Sequence, residues 1–136
     1  MKKKWRWLLD ELWSKAIRLR DGKCVKCGSV RGLHAAHIFP KGSYPLLRHN
    51  LDNGLTLCYK DHYFWAHINP IEFVEFVKSF LGVEKYNKLL EESRDRTLHQ
   101  LPGDKDYEKI EKILLSYIDE LQTVTRGNSE SNCRES

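Results

Sequence analysis

The chain has 136 residues, enough for one domain with a modest core and small enough to gain from a metal or covalent staple. Hydrophobic residues make up 40% and charged residues 31%, the balance of a globular chain, and no apolar run approaches the roughly 20 residues needed to cross a bilayer. The net charge of +4 is unevenly spread: residues 1–50 carry 12 Lys and Arg against 3 Asp and Glu, while residues 51–136 carry 11 against 16. A polyanionic partner is therefore expected near the basic half, with a solvated mixed-charge surface as the plainer alternative.

The start, Met1-Lys2-Lys3-Lys4-Trp5, has the basic opening of a secretory signal, but Arg6, Asp10 and Glu11 break the apolar stretch that must follow. No membrane association and a reducing cytoplasm are expected, where a Cys-x-x-Cys points to a metal or redox site before a disulfide. Trp5, Leu8, Leu9, Leu12, Trp13, Ala16 and Ile17 recur at helical spacing and predict an amphipathic helix ending at Gly22, with Arg18 and Arg20 in its last turn. From Lys23 to about Ala66 the pattern breaks into short apolar pieces. A turn is expected at Cys24–Cys27, a strand over Leu33–Phe39, a loop over Tyr44–Leu51, a short strand around Leu55–Leu57, and a helix beginning near Lys60 or Asp61.

Asn69, Pro70 and Glu72 have the spacing of an N-cap, a first-turn proline and a capping-box acid. Ile71, Phe73, Val74, Phe76, Val77, Phe80 and Leu81 then predict a helix with a broad apolar face, stopped by Gly82. A short helix follows over Val83 to about Glu92, a break at Leu101-Pro102-Gly103, and a last helix that Asp104 can cap. Its stripe of Tyr107, Ile110, Leu114, Tyr117, Leu121 and Val124 suits packing on the domain or on a second subunit. From Arg126 the chain is polar and rich in Gly, Ser and Asn, so residues 126–136 are expected to be a disordered tail, and Cys133 within it is not assigned to a metal site.

Cys24-Val25-Lys26-Cys27-Gly28 has the form of a metal knuckle, two thiolates two residues apart with a glycine that lets the backbone curl around an ion. The partner half begins at Cys58 in the frame Cys58-Tyr59-Lys60-Asp61, where Asp61 stands in the place of a fourth cysteine. Asp61 can supply a carboxylate oxygen to a structural Zn²⁺; the alternative is a decayed site whose cysteines merely pack. Between the halves lie Leu33-His34-Ala35-Ala36-His37-Ile38-Phe39-Pro40 and Asn53-Gly54-Leu55-Thr56-Leu57-Cys58, followed by His62 and His67.

In this order and framing, Cys24 to His67 resembles an HNH endonuclease, and the run from Cys58 through His62-Tyr63-Phe64-Trp65-Ala66-His67 to Asn69-Pro70 resembles the small HNH proteins of phage genomes. The resemblance implies an α+β fold, a ββα-metal core (residues 23–69) with a Cys-type zinc knuckle, flanked by an N-terminal helix (1–22) and C-terminal helices (70–125). It implies metal-dependent hydrolysis of DNA phosphodiester bonds, with His37 as general base, Asn53 as the residue that holds the loop and the base in position, and His62 as a metal ligand on the helix. The implied catalytic ion is Mg²⁺ or Mn²⁺, and the location that of a host cell's cytoplasm. Many members carry Asp or His just before the base as a ligand; here that position is Ala36, so His67 is the expected second ligand and His34 the spare. Lys41 and Arg48 are candidate phosphate contacts or else plain solvated charges. Tyr63, Phe64 and Trp65 can stack on nucleic acid, though their spacing fits a core better. A non-catalytic zinc-braced DNA-binding module, or a complex-assembly role with a second copy or a phage protein at the 104–125 helix, is the rival expectation.

Overall fold

The computed structural model describes the backbone of residues 3–95 and 103–135, with side chains described for 4–95 and 103–124. Its elements are α1 (Lys3–Asp21), β1 (Leu33–His37), β2 (Gly54–Cys58), a short α2 (Tyr59–Asp61) running into a π-helical turn (His62–Ala66), α3 (Pro70–Leu81), α4 (Val83–Arg94) and α5 (Asp104–Glu135). Among the described residues the fold is thus a mixed one, mostly helical with one small two-stranded sheet. Among the described residues no helix is long and apolar enough to cross a membrane.

The strands form an antiparallel hairpin in which Leu33 faces Cys58, Ala35 faces Thr56 and His37 faces Gly54. β2 is buried along its whole length, with Leu55 and Leu57 on one face and Thr56 on the other, where its hydroxyl donates to the Ile17 carbonyl at 3.1 Å. β1 stops two residues short of the predicted Phe39. The cause is Asn53, whose side chain takes the Phe39 N–H that a longer ladder would have used. One core joins the hairpin to the helices after it, through Cys24, Leu55, Leu57, Trp65, Phe73 and Val77. A second lies between α1 and α5, through Leu9, Trp13, Ile17, Tyr107 and Leu114. Tyr107, Ile110 and Leu114 of the α5 stripe pack on α1 of the same chain, while Val124 is exposed.

α1 is fastened to the hairpin by its last turn. Arg20 donates to the carbonyls of Leu51 and Gly54 at 2.7 and 2.8 Å, and Asp21 accepts the Thr56 N–H at 2.8 Å. Gly54 is required here by close approach, because a methyl on its Cα would overlap the Trp13 ring. Gly54→Ala is expected to cost about 1–3 kcal/mol, the usual range for overpacking a filled core. Urea unfolding measures it, and an unchanged midpoint would refute the contact.

Two local expectations are corrected. Asn69 precedes α3 and its carbonyl accepts the Phe73 N–H at 3.0 Å, the first bond of the helix, but its side chain makes no capping bond, so the expected capping box does not form. At α5 it is Asp106, not Asp104, whose carboxylate takes the Gly103 N–H, at 2.9 Å. The helical backbone of α5 runs from Asp104 to Glu135. The predicted break at Leu101 and Pro102 and the side chain of Cys133 lie outside the described residues.

Candidate metal centre and histidine cleft

The knuckle forms because Gly28, at φ 82°, turns the chain back so that its N–H reaches the Cys24 carbonyl at 2.8 Å. Val25 N–H then bonds the Thr56 carbonyl at 3.0 Å, which hangs the knuckle on β2. Cys58 ends that strand and Asp61 lies one helical turn on. One ligand atom from each of Cys24, Cys27, Cys58 and Asp61 lies within 4.8 Å of all the others. The Asp61 carboxylate oxygen is 3.2 Å from Cys24 Sγ and 3.4 Å from Cys58 Sγ, and Cys27 Sγ is 3.7 Å from Cys58 Sγ.

These separations fit a tetrahedral ion. Sulfur at about 2.3 Å and oxygen at about 2.0–2.2 Å from zinc give S···S edges of about 3.8 Å and S···O edges of about 3.5 Å. The charges point the same way. A backbone hydrogen bond at Ser29 lowers the Cys27 thiol, but Asp61, Cys24 and Cys58 crowd it and push it up to about 12. Four groups that are anions when they ligate are gathered where only a cation would let the thiols ionise together. The group can hold a metal ion, and its thiol-rich donor set suits zinc.

Separate from that group, a cleft of about 720 Å³ is lined by His37, Lys41, His62 and His67, together with Asp10 and Trp13 of α1. His37 Nε2 lies 2.8 Å from the Arg48 carbonyl oxygen. A carbonyl only accepts, so Nε2 carries the hydrogen and Nδ1 is left with a bare lone pair. Burial lowers His37 to about 4, and the charges of Lys41 and Arg48 add to this against the hydrogen bond to the Arg48 backbone. The ring is therefore neutral at physiological pH.

Asn53 is fully buried and ties down the connection between the strands. Its Oδ1 accepts the Phe39 N–H at 2.8 Å, and its Nδ2 donates to the carbonyls of Phe39 and Leu47 at 3.1 and 2.9 Å. Asn53→Ala would leave all three groups unpaired in a dry interior. A loss of about 2–4 kcal/mol is expected by urea denaturation, and a loss below about 1 kcal/mol would show that the brace is dispensable.

The π-helical turn explains the five-residue spacing of His62 and His67. In an α-helix residues five apart point well away from each other; here the His67 N–H bonds the His62 carbonyl at 3.3 Å and their rings meet edge to face, centroids 4.8 Å apart. Yet it is His34, the spare, whose Nδ1 meets His62 Nδ1, at 3.2 Å. Burial, then the neighbouring His67 and His34, lower His62 to about 4. Among the described residues these three histidines do not converge as the Cys/Asp group does. Ala36 is buried and offers no donor. Trp65 packs in the core, whereas Tyr63 and Phe64 are exposed.

Lys41 stands exposed at the cleft, but Arg48 is engaged: its guanidinium forms a two-pronged pair with Asp10 at 2.8 and 2.6 Å. Asp10 also accepts from His49 Nε2 at 2.8 Å. Burial pushes the Asp10 carboxyl up, but Arg48 and His49 more than offset it and hold it well below the usual carboxylate range. Asp10 and Trp13 were absent from the predicted site. The one signal was a carboxylate three residues before Trp13, on the flank of a helix otherwise read as a plain apolar stripe. Comparison of the chain with protein-family models, with curated proteins and with solved structures found no match in any of the three.

Proposed function

We propose that the chain is a metal-dependent endonuclease of the HNH type that hydrolyses DNA phosphodiester bonds. The observation that carries this reading is the His37 imidazole, neutral, with Nε2–H tied to a backbone carbonyl, in one cleft with His62 and His67. The hairpin, the Asn53-braced connection and the helical turn that follows support a ββα-metal core in the expected order. His37 Nδ1 would take a proton from water as the water oxygen bonds to phosphorus and the bond to the leaving 3′ oxygen breaks.

His62, with His34 or a reoriented His67, is the donor set for the catalytic ion. When bound, a divalent ion supplies positive charge to the scissile phosphate and the leaving oxygen. Imidazole nitrogens with no carboxylate among them suit Mn²⁺ better than Mg²⁺, which prefers oxygen. Lys41 is the cation left to meet a phosphate, since Arg48 is paired. The Cys/Asp group serves as a structural zinc site that fixes the hairpin to the helix. Incubating supercoiled plasmid with the protein and Mn²⁺, Mg²⁺ or Zn²⁺ tests the reading: nicked or linear DNA should appear with an ion and cease with chelator. Intact plasmid under every ion would overturn it.

A second reading is favoured by the buried Ala36 and the incomplete convergence of the histidines. In it the chain is a zinc-braced module that binds DNA or assembles a complex without cutting. DNA retention that falls steeply with salt, with no strand breaks, would select it.

A further inference from the structure

His37 is held by more than its own hairpin. Its ring lies flat on Trp13 of α1, with centroids 3.9 Å apart and planes 11° from parallel. Trp13 is itself locked by a hydrogen bond from Nε1 to the Asn50 carbonyl at 2.9 Å. One turn earlier, Asp10 grips the side chains of Arg48 and His49. The backbone carbonyl of that same Arg48 is the acceptor for His37 Nε2.

We infer that α1 belongs to the hydrolytic apparatus, with Asp10 and Trp13 as positioning residues: Asp10 fixes the Arg48 carbonyl that sets the His37 tautomer, and Trp13 fixes the plane of the ring. What His37 does rests on the nuclease reading above; how it is held does not. A neutral imidazole can carry its proton on either nitrogen, and the hydrogen bond made by one nitrogen decides which lone pair is free. A carbonyl performs that task only if its own peptide is fixed. Residue 48 lies in turns between the strands, with no ladder to hold it. Asn53 holds the Leu47 carbonyl on one side of Arg48, and the charge-assisted, two-pronged Asp10–Arg48 pair restrains residue 48 itself; bonds of this kind are about twice as strong as neutral ones.

A helix docked by an ion pair for stability alone would leave tautomer and rate untouched, which separates the two roles. The charged groups that bear on the His37 ring are Lys41, Arg48 and Asp10, and Glu11, His62 and His67 share the cleft. Long-range proton–nitrogen NMR of the full chain reads the His37 tautomer directly. The parent should show Nε2–H alone. Asp10→Asn, nearly the same shape, should bring in the Nδ1–H form and lower kcat about 10- to 100-fold, as loss of an orienting partner typically does, with KM for DNA little changed. Asp10→Glu should recover part of the rate; Trp13→Phe should keep the ring plane and Trp13→Leu lose it. If Asp10→Asn does not fold, Arg48→Lys, which keeps the charge and the carbonyl but not the fork, carries the same readout. A folded Asp10→Asn or Arg48→Lys variant with a single Nε2–H tautomer and the parental rate would overturn the inference. A parent that cuts no DNA would sink the nuclease reading, while the NMR arm still decides whether Asp10 and Trp13 position the ring.

Discussion

Chelation of the purified protein is expected to lower its thermal midpoint by more than about 10 °C. A structural zinc contributes roughly 10–16 kcal/mol of apparent free energy in small peptides, and a domain of this size shifts by about 2–8 °C per kcal/mol, so a fraction of that suffices. The loss would be local in origin but felt throughout, because Cys24 and Cys58 are also members of the hairpin core. Cys24→Ser should reproduce most of the chelator effect. Asp61 gives the sharper test. Asp61→Ala leaves three thiols and an open position, and should weaken retention of the ion. Asp61→Cys supplies a fourth thiolate at the same place and should hold zinc at least as tightly as the parent. The pH dependence has a definite sign: ligation requires ionised thiols, and Cys27 is pushed up to about 12 in the metal-free arrangement. Acidification therefore releases the ion, so the midpoint difference that chelator makes should shrink as pH falls. Elemental analysis with no zinc, together with a midpoint indifferent to chelator and to Cys24→Ser, would leave the cluster a packing feature only.

What the sequence made legible was local or short in reach. The α1 stripe and its stop at Gly22, the knuckle at Cys24 and Cys27, and the partner half at Cys58 and Asp61 all follow from spacing along a few turns. The place of a missing fourth cysteine was enough to nominate Asp61, and its oxygen does lie among the thiols. What was not legible depends on chain segments far apart in sequence. Arg48 looks like a free cation beside a loop until Asp10, 38 residues away, is seen to occupy it. Trp13 fits an apolar stripe equally well whether it packs on leucine or on His37. The π-turn that brings His62 and His67 together violates the period from which helical faces are inferred, so His34 could not be ranked against His67 by counting residues. Asn69 and Glu72 had the spacing of a capping box without forming one, because a cap depends on the N-cap backbone angles, here φ −117° and ψ 68°, which spacing does not report.

Replacement of His37 by alanine is expected to reduce metal-stimulated plasmid cleavage by about 10²- to 10⁴-fold, the usual contribution of a positioned general base. Protein fold and DNA retention should survive, at some cost in stability, since the removed ring gives up its stacking on Trp13 and its bond to the Arg48 carbonyl but no bond of the strand ladder. The pH profile separates His37 from an unperturbed histidine. The base form is the active one, and burial lowers His37 from its ordinary value near 6.5 to about 4. Cleavage should therefore persist at pH 5.5 to 6, where an ordinary imidazole would already be largely protonated, and fall only as pH approaches about 4. Folding shows the same linkage: the unfolded chain binds the proton at higher pH than the folded one, so stability declines from about 6.5 down to about 4 and is flat above. The first arm is read in parent protein with the Cys/Asp ion retained, by checking the thermal midpoint at each pH, because acid release of that ion would otherwise mimic a catalytic limb. Cleavage by His37→Ala at the parental rate would remove His37 from the chemistry. An acid limb centred near 6.5 in protein of unchanged midpoint would instead show that the ring is not buried against Trp13 during turnover.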